Sequence, residues 1–402
     1  MSRSNDAQDV VLVLNAGSSS LKLALYPIVV DRPPVLKAEV ESIGHKPAVT
    51  VNPADGTEMS TVLDGAADWS HDRIIAWLLN KIRQDHAALT IVAAGHRVVH
   101  GGRDFAAPVM VTPTVMTTLE SLAPLAPGHQ PHNIAGIRAV ASIWPSIPQV
   151  ACFDTAFHRT QPILSQLFAL PRRLLDDGVL RYGFHGLSYE YIASRLPSLA
   201  PEQADGRVIV AHLGHGTSMC GMHNRRSMAT SMGFTALDGL VMGKRCGELD
   251  PGVVLHLIRD RGYSVDQVDQ LLNTESGLLG VSGTSDDMRD LLASSEPNAA
   301  QAVDLFVYRA VRRIGSLAAV LGGLDMLVFT GGIGAYAAAI RARIVEGMAW
   351  LHARLDVEAN NRNARQISSD DSAIRVLVVP TDEERVIVRH TQTLTAAHHT
   401  PK

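Results

Sequence analysis

Apolar and polar positions follow two periods along this chain, and the changes of period mark its elements. Residues 10–14 and 21–26 are apolar runs of strand length separated by the turn NAGSSS, which predicts a hairpin. From 31 to 65 only weak alternation remains, with Pro and Gly scattered through it. Ser70 then caps a predicted helix whose apolar stripe is Ile74, Ile75, Leu78, Leu79 and Ile82. Residues 91–99 read as a strand running into His100-Gly101-Gly102, and 132–143 as a helix that Trp144-Pro145 stops. Residues 150–153 form a short strand ending at Asp154, and a Pro/Arg-rich stretch at 162–173 marks the expected domain boundary.

The opening pattern then recurs. Residues 208–213 read as a strand, GHGTS (214–218) as a glycine loop, 219–223 as the returning strand and 226–231 as a third. One phosphate-facing hairpin per half suggests a duplicated α/β domain with a nucleotide in the cleft between the copies. Asp250-Pro251 opens a helix ending near Gly262, and a capping box at Ser264 and Gln267 opens another that stops at Gly277. A long amphipathic helix (297–321) leads to a strand (326–330), the predicted loop GGIG (331–334) and a helix from about 337 to 355. That order presents a helix N-terminus to an anion. A strand at 375–379, the acidic turn Thr381-Asp382-Glu383-Glu384 and a last helix close the chain. The expected domains are 1–160, with the C-terminal helix of about 385–402 packing back on it, and 161–384.

Composition narrows the class. With 402 residues, 46% hydrophobic and 19% charged, the chain has the apolar content for two sizeable cores. A formal charge of −4 and the lack of any Lys/Arg block argue against nucleic acid as a partner. Three cysteines with no CxxC spacing argue against a disulfide framework or a zinc site. The polar start MSRSNDAQDV has no apolar core of a signal peptide, and Asp325 and glycines break the longest apolar stretch. A soluble, cytoplasmic protein without membrane partners is the expectation.

The first hairpin turn has the chemistry of a phosphate loop. Its small residues let backbone N–H groups approach an anion, Ser18 and Ser20 add hydroxyl donors, and Lys22 adds a positive charge. It is not a Walker A loop, since no GxxxxGK[ST] occurs. Other segments set charged groups among small residues: HRVVHGG (96–102), ACFDTAFH (151–158), RYGFHG (181–186), AHLGHG (211–216), DGLVMGKRCGELDPG (238–252), SGTSDDMR (282–289), FTGGIG (329–334) and PTDEE (380–384). Singly, each has an ordinary reading as an ion pair, a cap or a solvated turn. Together they supply arginines in Gly-rich turns, a strand-end aspartate, an Asn/Glu pair available to Mg²⁺ and three glycine loops, the parts that phosphoryl transfer demands.

NAGSSSLK, HRVVHGG, FDTAFH, YGFHG, TSMGFT, the SGxSxDxR pattern and TDEE, in this order and spacing, resemble the acetate kinase family from about residue 10 to 389. The resemblance implies a member of the sugar kinase, Hsp70 and actin superfamily, with two duplicated ribonuclease-H-like (actin-like ATPase) domains, a nucleotide cleft between them and a homodimer. It implies reversible transfer of a phosphoryl group between ATP and a short-chain carboxylate. By motif, Asn15 and Glu383 match the Mg²⁺-associated pair and Lys22 a nucleotide-phosphate contact. Arg97 matches the carboxylate-binding arginine, Asp154 the catalytic aspartate, and His185 and Arg245 the transition-state stabilisers. His212, Leu213, Gly214, His215 and Gly216, then Asp287, Met288 and Arg289, then Gly332, Ile333, Gly334, Ala335 and Tyr336 match the ATP-binding segments.

The departures fall where substrates are recognised. LAPGHQP puts Gly128 where the family has a leucine of the acyl pocket, and Ala236 stands in place of the pocket proline, while Val99 and Phe184 match. A pocket with less bulk leaves propionate or butyrate as an alternative to acetate. HLGHG has His215 for asparagine, and GIGAY has Ala335 and Tyr336 for Glu-Asn, which offers a ring able to stack on a base. An Hsp70- or actin-like ATPase module is the reading from another class. Arg97 and Arg245 oppose it, because an ATPase needs no carboxylate clamp.

Overall fold

The computed structural model describes residues 8–17, 20–29, 32–54, 56–63, 65–66 and 68–396. They divide into two compact units: unit 1 holds the described residues up to Ala156 and those from Asp382 on, and unit 2 is Phe157–Thr381.

Unit 1 is built on eight strands: β1 (Gln8–Ala16), β2 (Leu21–Pro27), β3 (Leu36–Glu41), β4 (Ala48–Pro53), β5 (Met59–Val62), β6 (Leu89–Val98), β7 (Val109–Met110) and β8 (Gln149–Phe153). Their order is β5-β4-β3-β2-β1-β6-β8-β7. β1 to β5 pair antiparallel in succession, β1 with β6 and β6 with β8 are parallel, and β7 returns antiparallel to β8. The helix His71–Asp85, capped by Ser70, lays its predicted Ile/Leu stripe on Val10, Leu12, Leu14, Leu23 and Leu25. Each such side chain contributes about 1.5–3 kcal/mol on burial. The helix Glu383–Thr395 packs on β6, β1 and β8.

The weakly patterned stretch 31–65 holds β3, β4 and β5, which the sequence reading did not resolve. In LKAEVE, Leu36, Ala38 and Val40 are buried while Lys37 and Glu41 are exposed. Such strands have one apolar face, and Ala38 gives that face little signal.

Unit 2 carries β9 (Val208–Leu213), β10 (Thr217–His223), β11 (Arg226–Thr230), β12 (Met326–Thr330) and β13 (Arg375–Val378) in the order β11-β10-β9-β12-β13. β9 to β11 are antiparallel, and β9 with β12 and β12 with β13 are parallel. Order and direction repeat β3-β2-β1-β6-β8 strand for strand, the duplicated α/β topology expected from the two hairpins. The helix Pro297–Leu321 buries Val303, Phe306, Ala310, Ile314 and Leu317 with Ile209, Leu327 and Phe329. Tyr189, Ile192 and Leu196 of the helix Gly186–Leu199 pack in a second cluster with Val208, Val210, Met326 and Val328.

Two expectations are corrected. GGIG is the first turn of a helix, Gly331–Tyr336, rather than a loop before one. Gly331 has φ 76°, and a Cβ there would lie 2.6 Å from the Leu213 carbonyl oxygen, so only glycine lets the helix start so close to β9. The helix expected to reach 355 spans Ala338–Glu346, and a single 3₁₀ turn, Ala349–Leu351, follows. The N-capped helix Pro251–Arg259 and the capping box of Ser264 and Gln267 form as predicted. Among the described residues no helix is long and apolar enough to cross a membrane.

Candidate active site

In unit 1 the parallel pairing of β6 with β8 sets Arg97 beside Cys152 and Val98 beside Phe153. The backbone N–H of Asp154 donates to the Val98 carbonyl at 3.0 Å, which fixes the aspartate beside the arginine. Arg97 then grips it with two parallel bonds, Nε to Oδ1 at 3.1 Å and Nη2 to Oδ2 at 2.7 Å. The remaining nitrogen, Nη1, faces Oε2 of Glu383 at 4.0 Å, beyond hydrogen-bond reach. Glu383 is the first residue of the last helix, so residues far apart in sequence meet at one guanidinium. Burial works against the Arg97 charge, but Asp154 and then Glu383 outweigh it and hold the guanidinium above its ordinary range. Burial pushes the Asp154 carboxyl above its ordinary range, and the Arg97 guanidinium offsets only part of that rise.

The hairpin and HGG turns are tied by side chains that the sequence reading missed. Asn133 accepts from Val99 N at 2.9 Å and donates to the Ala16 carbonyl at 2.8 Å. Gln130 bonds both the N–H and the C=O of His100, at 3.2 and 3.1 Å. His71 Nε2 donates to the Gly17 carbonyl at 2.6 Å, its ring 4.2 Å from that of His132. The signal was available in QPHN (130–133), amides and an imidazole on a helix that buries Gln130 and Asn133.

Asn15 and Lys22 are cross-strand partners, and Lys22 is in turn opposite Glu39 of β3. Lys22 Nζ pairs with Glu39 at 2.8 Å, so the structure gives this lysine a carboxylate neighbour at the sheet surface. Ser20 accepts from Gly17 N through its carbonyl at 2.9 Å, while Ser18 lies outside the described residues.

In unit 2 His185 caps the helix Gly186–Leu199 with left-handed backbone, φ 59°. Its Nδ1 lies 2.9 Å from Ser218 Oγ, and its ring stacks on His212 at 4.3 Å; His212 Nδ1 in turn meets Ser188 Oγ at 2.8 Å. Gly216 is where His185 and Arg245 converge. A Cβ there would lie 2.7 Å from Arg245 Nη2 and 3.3 Å from His185 Nε2, so both donors reach the glycine loop because no side chain fills it. Arg245 donates from Nη1 to the Ala236 carbonyl at 2.6 Å, a neutral partner. Burial pulls its pKa down to about 10, which still leaves it charged at neutral pH.

The His215 side chain is exposed but tied down. Its Nε2 bonds Asp286 Oδ2 at 2.8 Å, with Lys244 Nζ 3.7 Å from the same oxygen, and its carbonyl accepts from Gly243 N at 3.0 Å. It thereby joins the His212–Gly216 turn to the segment before Arg245 and to the SGTSDDMR loop. Asp287 caps the helix Met288–Ala293 and binds the Arg289 guanidinium at 3.0 and 2.5 Å, which holds its carboxyl down at about 2. Met288 and Ala335 are core residues, whereas Tyr336 is 71% exposed and Gly332 faces open space. Arg341, missed in an apolar run, is fully buried and donates to the carbonyls of Gly334 and Asn360 and to the side chains of Asn360 and Asn363. It anchors the Gly331–Tyr336 helix from behind.

Of the acyl-pocket candidates, Val99 and Gly128 belong to unit 1 and Phe184 and Ala236 to unit 2. Val99 and Phe184 are buried. A Cβ on Gly128 would meet nothing within 4 Å.

Comparison with known proteins accords with this arrangement. The Acetokinase family profile matches residues 10–389. A protein of Rhodopseudomonas palustris named acetate kinase is 54% identical over 389 residues, covering 95% of this chain and 97% of its own. One of Methylocella silvestris with the same name is 50% identical over 397 residues, covering 96% and 97%. Among solved structures, a propionate kinase from Francisella tularensis superposes with a TM-score of 0.90 at 36% identity over 96% of this chain and all of its own. The acetate kinase of Porphyromonas gingivalis gives 0.86 at 34% identity over 96% and 99%. With its fold, motifs and nearly its whole length in register, the chain belongs to the acetokinase family.

Proposed function

We propose that the protein is an acetate kinase, transferring the γ-phosphoryl group of ATP reversibly to acetate to give acetyl phosphate and ADP. The observation that carries this reading is Arg97, held rigidly by buried Asp154 while Nη1 remains turned toward Glu383 rather than bonded to it. A clamped guanidinium with a donor to spare suits a small carboxylate. Relatives named acetate kinase favour acetate over the longer acids that the pocket departures left open.

The chemistry follows from charge. A carboxylic acid is ionised at neutral pH, so its oxygen attacks the γ-phosphorus with no proton to remove. Asp154 therefore need not be a base, and with both oxygens on Arg97 its role is to orient that guanidinium. Arg97 binds the acid. Arg245 and His185, converging on Gly216, stabilise charge on the transferred group, the arginine by its charge and the imidazole by hydrogen bonding. The turns at His212–Gly216 and Gly331–Tyr336 and the loop around Asp287–Arg289 hold the nucleotide.

The donors fit Mg²⁺. Asn15 and Glu383 offer only oxygen toward a cation, and no cluster of three or more His, Cys, Asp or Glu forms a cage among the described residues. That suits an ion that keeps its waters, takes one or two protein oxygens and arrives with phosphates, whose charge it would neutralise. Asn15 and Glu383 are the residues that would hold it.

A homodimer is part of the same reading. The helix Pro251–Arg259 has no buried residue, and Val253 and Leu255 are exposed on it. Light scattering should give twice the 43.2 kDa chain mass, and Leu255→Glu should shift it toward one copy.

Trapping of the acyl phosphate as hydroxamate tests the function. Acetate should give product with ATP, with kcat/KM at least about tenfold above that for propionate, the scale of one methylene in an apolar pocket. ADP release independent of added acid would overturn the reading in favour of an ATPase module.

A further inference from the structure

The hydroxyl of Ser218 sits between two side chains of different character. On one side is His185 Nδ1 at 2.9 Å, and on the other is the Tyr189 hydroxyl in a short hydrogen bond. Ser218 and Tyr189 are both fully buried. Tyr189 is four residues beyond His185, one helical turn on, so the helix that His185 caps also carries the phenol to the same strand residue. The Tyr189 ring packs with Ile192, Val210 and Cys220, which leaves the hydroxyl aimed at Ser218.

Proton order along this chain of atoms follows from acidity. A phenol, with a pKa near 10, is a far better donor than an aliphatic hydroxyl, so Tyr189 donates and Ser218 accepts. The serine proton is then free to donate onward to His185 Nδ1. A neutral imidazole that accepts at Nδ1 carries its hydrogen on Nε2. Nε2 is the nitrogen that reaches the Gly216 turn beside Arg245 Nη2. The opposite order would put the hydrogen on Nδ1 and turn a lone pair toward phosphate oxygens.

We propose that Ser218 and Tyr189 are positioning residues for phosphoryl transfer: they form a hydrogen-bond relay that fixes the Nε2–H tautomer of His185, so that this nitrogen donates to the transferred group. The proposal rests on the reading of His185 as a stabiliser of that group. No proton leaves the relay during turnover. Its purpose is to set which nitrogen carries the hydrogen before substrate arrives, a preorganisation that water would otherwise oppose.

Steady-state kinetics and imidazole nitrogen NMR of the full chain test it. Ser218→Ala should lower kcat about tenfold with the KM values for ATP and acetate within about twofold, and Tyr189→Phe, which keeps the ring in its core, should lower kcat about threefold. The double variant should be no slower than Ser218→Ala, because the tyrosine acts only through the serine. The ¹⁵N shifts of His185 should report hydrogen on Nε2 in the parent and a mixture of tautomers in Ser218→Ala. Multiplicative losses in the double variant, or a parent His185 with its hydrogen on Nδ1, would overturn the relay. His185→Ala separates the two levels. If it leaves kcat unchanged, the role given to His185 fails, whereas a large loss with Ser218→Ala at the parental rate defeats the relay alone.

Discussion

The two units lay down the same five strands in the same order and then use them differently. In unit 1 the hairpin β1/β2 is held from outside: Asn133 and His71 reach in from helices to bond the Ala16 and Gly17 carbonyls, and Lys22 is taken by Glu39. In unit 2 the hairpin β9/β10 supplies its own polar groups, with His212 and Ser218 directly opposite each other and bonded to Ser188 and His185. The fourth strands differ as well. β6 carries Arg97 one residue from its end, gripped by Asp154, whereas β12 runs into the glycine helix Gly331–Tyr336. A shared backbone topology thus carries a fixed cation in one copy and a backbone-lined, histidine-rich turn in the other. In the proposed function the first takes the small carboxylate and the second the phosphates, a duplicated fold whose two copies do different chemistry.

The sharpest way to break this comparison is to remove one arginine from each unit. Arg245→Ala should lower kcat about 10²- to 10³-fold with little change in KM for acetate, while Arg97→Ala should raise that KM as well as lower kcat. Identical kinetic signatures would mean that the division of labour is wrong.

Acid should weaken both units through one buried imidazole each. His96, bonded to Gln149 at 2.7 Å, and His158, bonded to Ser227 and the Phe184 carbonyl at 2.8 and 3.0 Å, are both held down at about 4 by burial. The unfolded chain takes up these protons near pH 6.5 and the folded chain only near 4, so their contribution is whole above pH 6.5 and declines as pH falls toward 4. Each costs up to about 3 kcal/mol at the acid end. Urea unfolding at pH 7 and 4.5 measures the loss. His158→Gln should flatten the dependence, and an unchanged slope would place the acid sensitivity elsewhere.

Glu383→Ala should raise the Mg²⁺ concentration for half-maximal rate by about tenfold, an effect of roughly 1.4 kcal/mol on a contact made with one or two protein oxygens. If titrations of parent and variant coincide, Glu383 acts on Arg97 alone. The smallest change should come from Lys22→Ala. An exposed ion pair is worth about 1 kcal/mol or less, so stability should fall slightly. A KM for ATP raised more than about fivefold would return Lys22 to the phosphates and make the two hairpins more alike than the structure draws them.

What the sequence alone determined was whatever depends on local rules. The Ile/Leu stripe of His71–Asp85, the capping box at Ser264 and Gln267, the two hairpins and the motif order could be read because spacing and turn chemistry act over a few residues. The strands at 36–62 were hidden because β3 and β4 bury only a few apolar positions and β5 none. Tertiary structure decided the pairings: Glu383 facing Arg97, Lys22 given to Glu39, His215 bonded to Asp286, and buried Arg341 bracing the glycine helix. Each joins residues brought together by strand order or helix packing. The physical reason is that a charge or amide, whether at the sheet surface or buried like Arg341, pairs with whatever polar group the fold brings near it, and nothing in its sequence neighbourhood says which distant segment that will be.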